Sequence, residues 1–306
     1  MYYFKDDVIV KTNDNYEIKS QFGEYDKKKG ILILKSKIKG LDKENNLIET
    51  DFAKYNELSK VLETKGPTKI TTSENYIIEG EDIIFDNLKK IIISNKNAQI
   101  TDQDNNKIYL DKFEYQIEEN IFKSIGYVKV EDKFKNVYEF SQIYIDTKKQ
   151  EILGSDTKLF LNQNNFKVNE NNKPRVFANT SKISEDQSVF KKSIFTLCNY
   201  RKNDKCPPWS IQSSEMLHDN KKKTIYYDNA VVKVYNIPIF YLPKLSHPDP
   251  SVDRRSGFLP PSFEDTKNLG SGITVPYFFA LNKDKNFTLT NKFYVSENPL
   301  FIGEYH

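Results

Sequence analysis

Apolar and polar positions alternate along the first half of this chain on a thirty-residue beat. Tyr25, Tyr55, Phe85, Tyr115 and Ile145 fall thirty apart, followed by Asp26, Asn56, Asp86, Gln116 and Asp146. An apolar pair recurs at Ile31-Leu32, Val61-Leu62, Ile91-Ile92 and Ile121-Phe122, and weakens in a fifth copy to Glu151-Ile152. A repeat of this length signals stacked units, each burying its apolar face only against its neighbours. Two polar breaks divide each unit, one at 26–30, 56–60, 86–90 and 116–120, the other at 42–46, 72–75, 102–106 and 132–136. Both are rich in Asp, Asn, Lys and Gly, the composition of hairpin turns. The runs between them fit strands of about 8–10 residues, roughly 26–33 Å long. Helical spacing is nearly absent, so residues 1–195 are expected to be an all-β unit, regular to about residue 154.

Beyond that point the texture changes. Residues 162–174 are Asn-rich and loop-like, and from Cys198 the chain is dense in proline and aromatic residues. Such a proline density excludes a central strand and implies a shaped connector or an edge, giving a junction over 196–265. Dyad patterning follows over 266–306. Ile273, Val275, Tyr277, Phe279 and Leu281 share one face, and Thr274, Pro276, Phe278 and Ala280 the other. After a polar turn, Phe287, Leu289, Phe293 and Val295 face one way. This suits an ordinary half-buried sheet or the strands of a membrane barrel.

Composition narrows the function. The 46 basic and 43 acidic residues nearly cancel, so nothing suggests a nucleic-acid partner. Hydrophobic content of 38% with 13% aromatics suits two-faced strands better than a thick core. No apolar run is long enough for a membrane helix. The opening residues lack the pattern of an export signal, so the chain is either cytosolic or lacks its true start. His218, His247 and His306 are scattered, with no HExxH, nucleophile elbow or phosphate loop, so neither catalysis, a cofactor nor a metal is expected. His218-Asp219 reads as a turn. Cys198 and Cys206 could close a local disulfide in an oxidising compartment, or remain free thiols.

The C-terminal block resembles a known family. Cys206-Pro207-Pro208-Trp209-Ser210-Ile211, Met216-Leu217-His218-Asp219, Asn229-Ala230, Pro238-Ile239-Phe240-Tyr241-Leu242-Pro243 and His247-Pro248 follow one another in order. Arg254-Arg255-Ser256-Gly257-Phe258-Leu259-Pro260 and Pro276-Tyr277 complete the set. Over about residues 195–306 these resemble the outer-membrane LPS-assembly family LptD, also called OstA or Imp. The thirty-residue units resemble, more loosely, the OstA-type repeats of the periplasmic bridge proteins of the same pathway.

The resemblance implies an OstA-type β-jelly roll, a V-shaped double layer, followed by a junction and the first strands of an outer-membrane β-barrel. It implies transport and assembly of lipopolysaccharide at the outer membrane, with the jelly roll in the periplasm and a lateral gate in the barrel. The implied partners are lipopolysaccharide, the periplasmic bridge protein at the N-terminal end, a plug lipoprotein in the barrel and the barrel-assembly machinery. A family barrel needs hundreds more residues, so the chain is expected to be an internal fragment of a longer protein. Family cysteines near this point pair with cysteines at the far end of the barrel, a third possibility for Cys198 and Cys206.

Physical chemistry agrees with a lipid lane. Each buried CH₂ is worth about 0.8 kcal/mol, so exposing a dozen-methylene chain costs on the order of 10 kcal/mol. Ile33, Leu62, Ile92 and Phe122 are the groove candidates, serving core packing, lipid contact or both. Junction and gate candidates are Trp209, Pro238, Tyr241, Pro243, Pro248, Arg254, Arg255, Gly257 and Pro260. Among them, Arg254 and Arg255 would bind junction carbonyls or a lipid phosphate. Gly257 is expected to supply a backbone conformation closed to larger residues, and the prolines to weaken strand pairing or form turns. Trp209 reads as a core anchor. The competing functions are a soluble periplasmic lipid-binding bridge, a β-solenoid carbohydrate-active enzyme, and a structural surface repeat.

Overall fold

The computed structural model describes residues 1–11, 17–41, 45–162, 174–197, 209–249, 251–252, 254–259, 261–266 and 269–306. Among these residues there are twenty-five strands and no helix. The strands form two antiparallel sheets of twenty and five. Cys198, Cys206 and Pro260 lie outside the described residues.

The large sheet follows chain order. Strands β1 (Tyr2–Lys11), β2 (Glu17–Asp26), β3 (Ile31–Leu41) and β4 (Leu47–Asn56) pair in succession. Each later pass then breaks midway. β4 pairs at its end with β5 (Val61–Thr64) and at its start with β6 (Pro67–Thr71). One half-sheet continues from β5 through β8 (Ile84–Asp86), β9 (Ile91–Ser94) and β12 (Phe113–Gln116). The other continues from β6 through β7 (Ile77–Glu81), β10 (Ala98–Thr101) and β11 (Lys107–Leu110). β13 (Ile121–Glu131) pairs with both β12 and β11 and reunites them.

The two half-sheets face each other as two arms. Their buried side chains share one cluster, and the rings of Tyr76 and Phe122, from opposite arms, lie 6.5 Å apart. Backbone geometry makes the bend and the ends periodic. Left-handed residues at Gly30, Lys60, Lys90, Asn120 and Gln150, with φ between 53° and 61°, close one row of turns. Asn45, Asn75, Asn105 and Lys135, with φ of 60–66°, close the opposite row. Asp6, Ser36, Gly66, Gly126 and Asp156 form a third left-handed set within the passes, on the same beat. A left-handed residue with a side chain costs about 1–2 kcal/mol, so each turn needs compensation.

The side chains on the beat supply it. Asp26, Asn56 and Asp86 each accept two amide hydrogens of their own turn through Oδ1, and Asp146 accepts one. These are Asx turns. Successive turns are also stitched together: Glu57 N donates to Gly30 O at 2.8 Å, and Asn87, Ile117 and Thr147 repeat the bond to Lys60, Lys90 and Asn120. In the opposite row, Asn46, Asn106 and Asn136 accept the amides of Ser73, Lys133 and Asn162 at 2.8–2.9 Å. At the breaks between arms, Thr64, Ser94 and Ser124 donate to Ile83, Glu81 and Lys112 carbonyls.

The expected boundary at residue 195 is not where the sheet ends. It runs on through β14 (Val137–Asp146), β15 (Glu151–Phe160), β16 (Arg175–Ile183), β17 (Gln187–Thr196), β18 (Trp209–Asp219), β19 (Thr224–Val234) and β20 (Ile237–Pro248). The beat fades because connections change length, not because pairing stops. Between β19 and β20 only Tyr235 and Asn236 remain, both left-handed, as a type I′ hairpin requires. Pro238, Pro243 and Pro248 all lie on β20, which pairs with β19 alone. That edge position accommodates three residues unable to donate to a ladder.

The small sheet holds β21 (Gly257–Phe258), β22 (Ser262–Thr266), β23 (Gly270–Ala280), β24 (Asn286–Tyr294) and β25 (Leu300–Tyr305). Its cross-strand register puts Ile273 opposite Phe293, Tyr277 opposite Leu289 and Phe279 opposite Phe287, all on one face. Thr274 opposite Lys292 and Phe278 opposite Thr288 occupy the other. The dyad pattern is thus realised as one aromatic face and one more polar face.

A chamber between the two arms

Just inside the first row of turns runs a continuous cross-strand file. Tyr25 faces Leu32, which faces Tyr55, and the pairing continues through Leu62, Phe85, Ile92, Tyr115, Phe122, Ile145, Ile152 and Ile183. Every one is buried or half-buried. Opposed pairs of this kind are the unit of sheet stabilisation. Past Ile183 the register meets Ser188 and then His218, so the file turns polar.

The file crosses three cores of different tightness. In the middle core Phe122 is 1% exposed, with the rings of Tyr115 at 4.2 Å and Phe113 at 5.9 Å. The N-terminal core centres on Leu34 and Ile38, and the C-terminal core on Phe190, Phe195 and Tyr227. Tyr138 packs against both the middle and the C-terminal cores. Around it the arms enclose a chamber of about 670 Å³, within the range of roughly 300–1,000 Å³ typical of ligand sites.

The chamber is amphipathic. Ile108, Val130, Phe140, Ile145, Ile152, Leu159 and Ile183 form its apolar walls around Tyr138. Its rim comes from both rows of turns: Asp102, Asp104, Asp132 and Lys133 from one, and Glu185, Asp186, Lys221 and Lys223 from the other. Lys133 pairs with Asp104 at 3.0 Å and Lys221 with Asp186 at 2.7 Å, exposed pairs that contribute little stability. Burial raises the Asp132 carboxyl against the lowering effect of bonds from Asn136, the Phe134 amide and the Tyr138 hydroxyl. Burial likewise raises the Tyr138 hydroxyl, with the Asp132 charge adding to it, so this tyrosine stays a neutral donor.

At the polar end of the chamber, His218 bonds Asp249 through Nε2. Burial would raise the Asp249 carboxyl, but His218 and Ser251 bonds hold it at about 2. Deeper, His247 Nδ1 lies 2.7 Å from the Pro248 carbonyl, which can only accept. Nδ1 therefore carries the proton, and neutral Nε2 accepts from the Tyr227 hydroxyl at 2.9 Å. Among the described residues, no three His, Cys, Asp or Glu side chains gather where they could hold a metal ion.

No protein-family model matches the chain. Curated relatives do. The LPS-assembly protein LptD of Methylococcus capsulatus is 32% identical over 124 residues, 40% of this chain and 11% of that protein. That of Paraburkholderia xenovorans is 34% identical over 108 residues, 35% of this chain and 13% of that protein. That of Francisella tularensis subsp. novicida is 40% identical over 75 residues, 24% of this chain and 8% of that protein. The chain is a partial match to the LptD family. It spans about an eighth of the length of the first two relatives. Among solved structures, LptH of Pseudomonas aeruginosa, the LptA-homologous periplasmic component of a lipopolysaccharide transport device, aligns with 46% of this chain and 82% of its own. At 14% identity and a TM-score of 0.22, that likeness is too distant to bear on the fold.

The groove candidates are distributed unevenly. Leu62 and Ile92 lie on the inward file and line a smaller apolar space of about 50 Å³ towards the N-terminal core. Phe122 is on the same file but packed into the middle core. Ile33 is not on it. Leu32 and Leu34 point inward, so alternation turns Ile33 to the outer face, half-buried. A one-residue slip in a strand exchanges faces. Counting in thirties from Leu32 reaches Leu62, Ile92, Phe122 and then Ile152, which lies in the chamber wall. Ile152 was therefore findable from the beat.

On β18, Trp209 is half-buried and packs on Phe195, 6.3 Å between rings. Tyr241 is exposed on β20 and donates to Asn229 Oδ1 at 2.8 Å. Arg254 and Arg255 reach in different directions. Arg254 bonds the Lys283 carbonyl at the β23–β24 turn and sits over the Phe278 ring at 5.7 Å. Arg255 bonds the Thr224 hydroxyl at the β18–β19 turn and the Lys222 carbonyl at 3.4 Å. Adjacent guanidiniums thus hold one sheet each. Gly257 departs from expectation: its φ is not left-handed and a Cβ there would meet nothing within 4 Å, so the backbone does not require glycine. His218 takes Asp249 as its acidic partner, while Asp219 accepts the Lys222 amide in the turn that follows.

Proposed function

We propose that this chain is the jelly roll, junction and first barrel strands of an LptD-type protein, and that it serves lipopolysaccharide transport and assembly at the outer membrane. The supporting observation is the eleven-residue apolar file from Tyr25 to Ile183, ending at an amphipathic chamber. Acyl chains lie between the arms against this file while the phosphorylated sugar stays at the polar rim. At about 0.8 kcal/mol per buried methylene, an uninterrupted apolar surface is what a carrier without a chemical step needs. The two rows of turns fix the arms, and the chamber at the end of the file leaves room for the chains.

In this reading the large sheet lies in the periplasm and residues 266–306 begin a barrel whose aromatic face meets lipid. A bridge protein adjoins the N-terminal end, a plug lipoprotein and the barrel-assembly machinery act on the barrel, and its first strands border a lateral gate. Titrating the chain with an environment-sensitive acyl probe and displacing it with lipopolysaccharide tests the site. Ile152→Trp, which fills the chamber from its half-buried wall position, is expected to weaken probe binding at least tenfold. Unchanged affinity in a folded Ile152→Trp chain would exclude the chamber as the acyl site.

A further inference from the structure

The chamber has two routes of entry, and the structure treats them differently. Along the axis, from the smaller N-terminal space, the way is filled by Phe122 with Tyr76, Phe113 and Tyr115 around it. Those rings belong to the most buried part of the molecule, and moving them disrupts the middle core. Sideways, between the two rows of turns, the rim is mostly polar and carries Phe134 besides. Gln150, at the left-handed corner of one row, donates through Nε2 to Gln103 Oε1 of the opposite row at 3.3 Å. Gln103 is held in place from behind, since its own Nε2 donates to the Glu74 carbonyl of the neighbouring turn. Both side chains are exposed, and both line the chamber that Ile145 and Ile152 floor. Lys133 of one row also feels the charge of Glu185 of the other.

We propose that the mouth between the two rows of turns is the loading port of the chamber, and that the Gln103–Gln150 bond is its latch. The proposal rests on the reading of the chamber as an acyl-chain site. An amphiphile enters tail first and sideways as the latch parts, leaving its polar head among the rim charges. The latch suits that purpose because it is neutral and solvent-exposed. Water replaces such a bond at little net cost, and no buried charge is stranded when it opens. The Phe122 group meanwhile keeps the arms registered on one side, so the mouth can part without separating the whole sheet.

Stapling tests this directly. In the 306-residue chain with Cys198→Ser and Cys206→Ser, the pair Gln103→Cys and Gln150→Cys is bridged by a short bis-maleimide across the mouth. A control staple joins Leu58→Cys to Leu88→Cys, exposed residues on two turns of one row that lie outside the chamber. The rate of uptake of a fluorescent long-chain fatty acid is then followed by stopped flow. The latch staple is expected to slow uptake at least tenfold and the control staple to leave it unchanged. Gln103→Ala with Gln150→Ala, unstapled, is expected to speed uptake about two- to tenfold, the weight of one hydrogen bond. Equal uptake with and without the latch staple overturns the port. Failure of the unstapled chain to take up the probe at all overturns the acyl-site reading, and the port with it.

Discussion

Gly154 lies beneath the ring of Phe140, and a Cβ at that position would run into ring carbons. It falls on a run of small residues spaced by thirty, Thr64, Ser94, Ser124 and Gly154, where the arms diverge. Gly154→Ala is expected to destabilise the chain by about 1–3 kcal/mol, as overpacking does, read as a fall in denaturation midpoint. Phe140→Leu in the same chain should recover part of it. His247 gives a second residue-scale expectation. Burial, first, and His218 hold its pKa below 6.5, against the Pro248 carbonyl and Asp249. The folded imidazole therefore stays neutral where the unfolded one takes a proton, and stability present above pH 6.5 declines as the pH falls below it. Asp249, lowered from 3.8 to about 2, adds a second loss as the pH falls through that interval. Urea midpoints measured from pH 8 to pH 2 should show both declines, and His247→Gln should remove the first alone.

At the scale of elements, the turns were legible and the bends were not. Asp26, Asn56, Asp86 and Asp146 stand out in the sequence because one short acceptor must recur wherever the turn does. Gln116 is the variant whose longer side chain turns instead to Glu114. Asp86→Ala should cost about 1 kcal/mol through two lost amide bonds, measurable by thermal denaturation, while Gln116→Ala should change little. The bends rest on Thr and Ser hydroxyls bonded to carbonyls of another pass, such as Ser124 to Lys112, and no local pattern announces such partners. The pair Ile31-Leu32 carries the period but not the phase of the inward file, so the beat alone admits Ile33 where Leu32 points inward. The chamber was hidden for a similar reason. Its rim joins residues as distant as Asp102 and Asp249, and the weakened fifth repeat, Glu151-Ile152, was its only local trace. The sheet beyond residue 195 went unread because unequal loops erased the beat while pairing continued.

Across the whole molecule, two sheets meet at neighbouring arginines, one reaching each sheet. Arg255→Ala should loosen the sheets relative to each other. Spin labels on β18 and β24 should then show a broader distance distribution, while Arg255→Lys restores it only in part, since lysine lacks the planar fork. The ring contact between Phe240 of β20 and Phe263 of β22, 6.0 Å apart, supplies the apolar part of the same joint. The account as a whole stands on the space between the arms carrying lipid. Its most direct measurement places a photo-crosslinking residue at Ile152, in the chamber wall, and separately at Leu153, 49% exposed on the opposite face. Irradiated in cells making lipopolysaccharide, the Ile152 position should capture it and the Leu153 position should not. Capture at Leu153 with none at Ile152 would contradict the account.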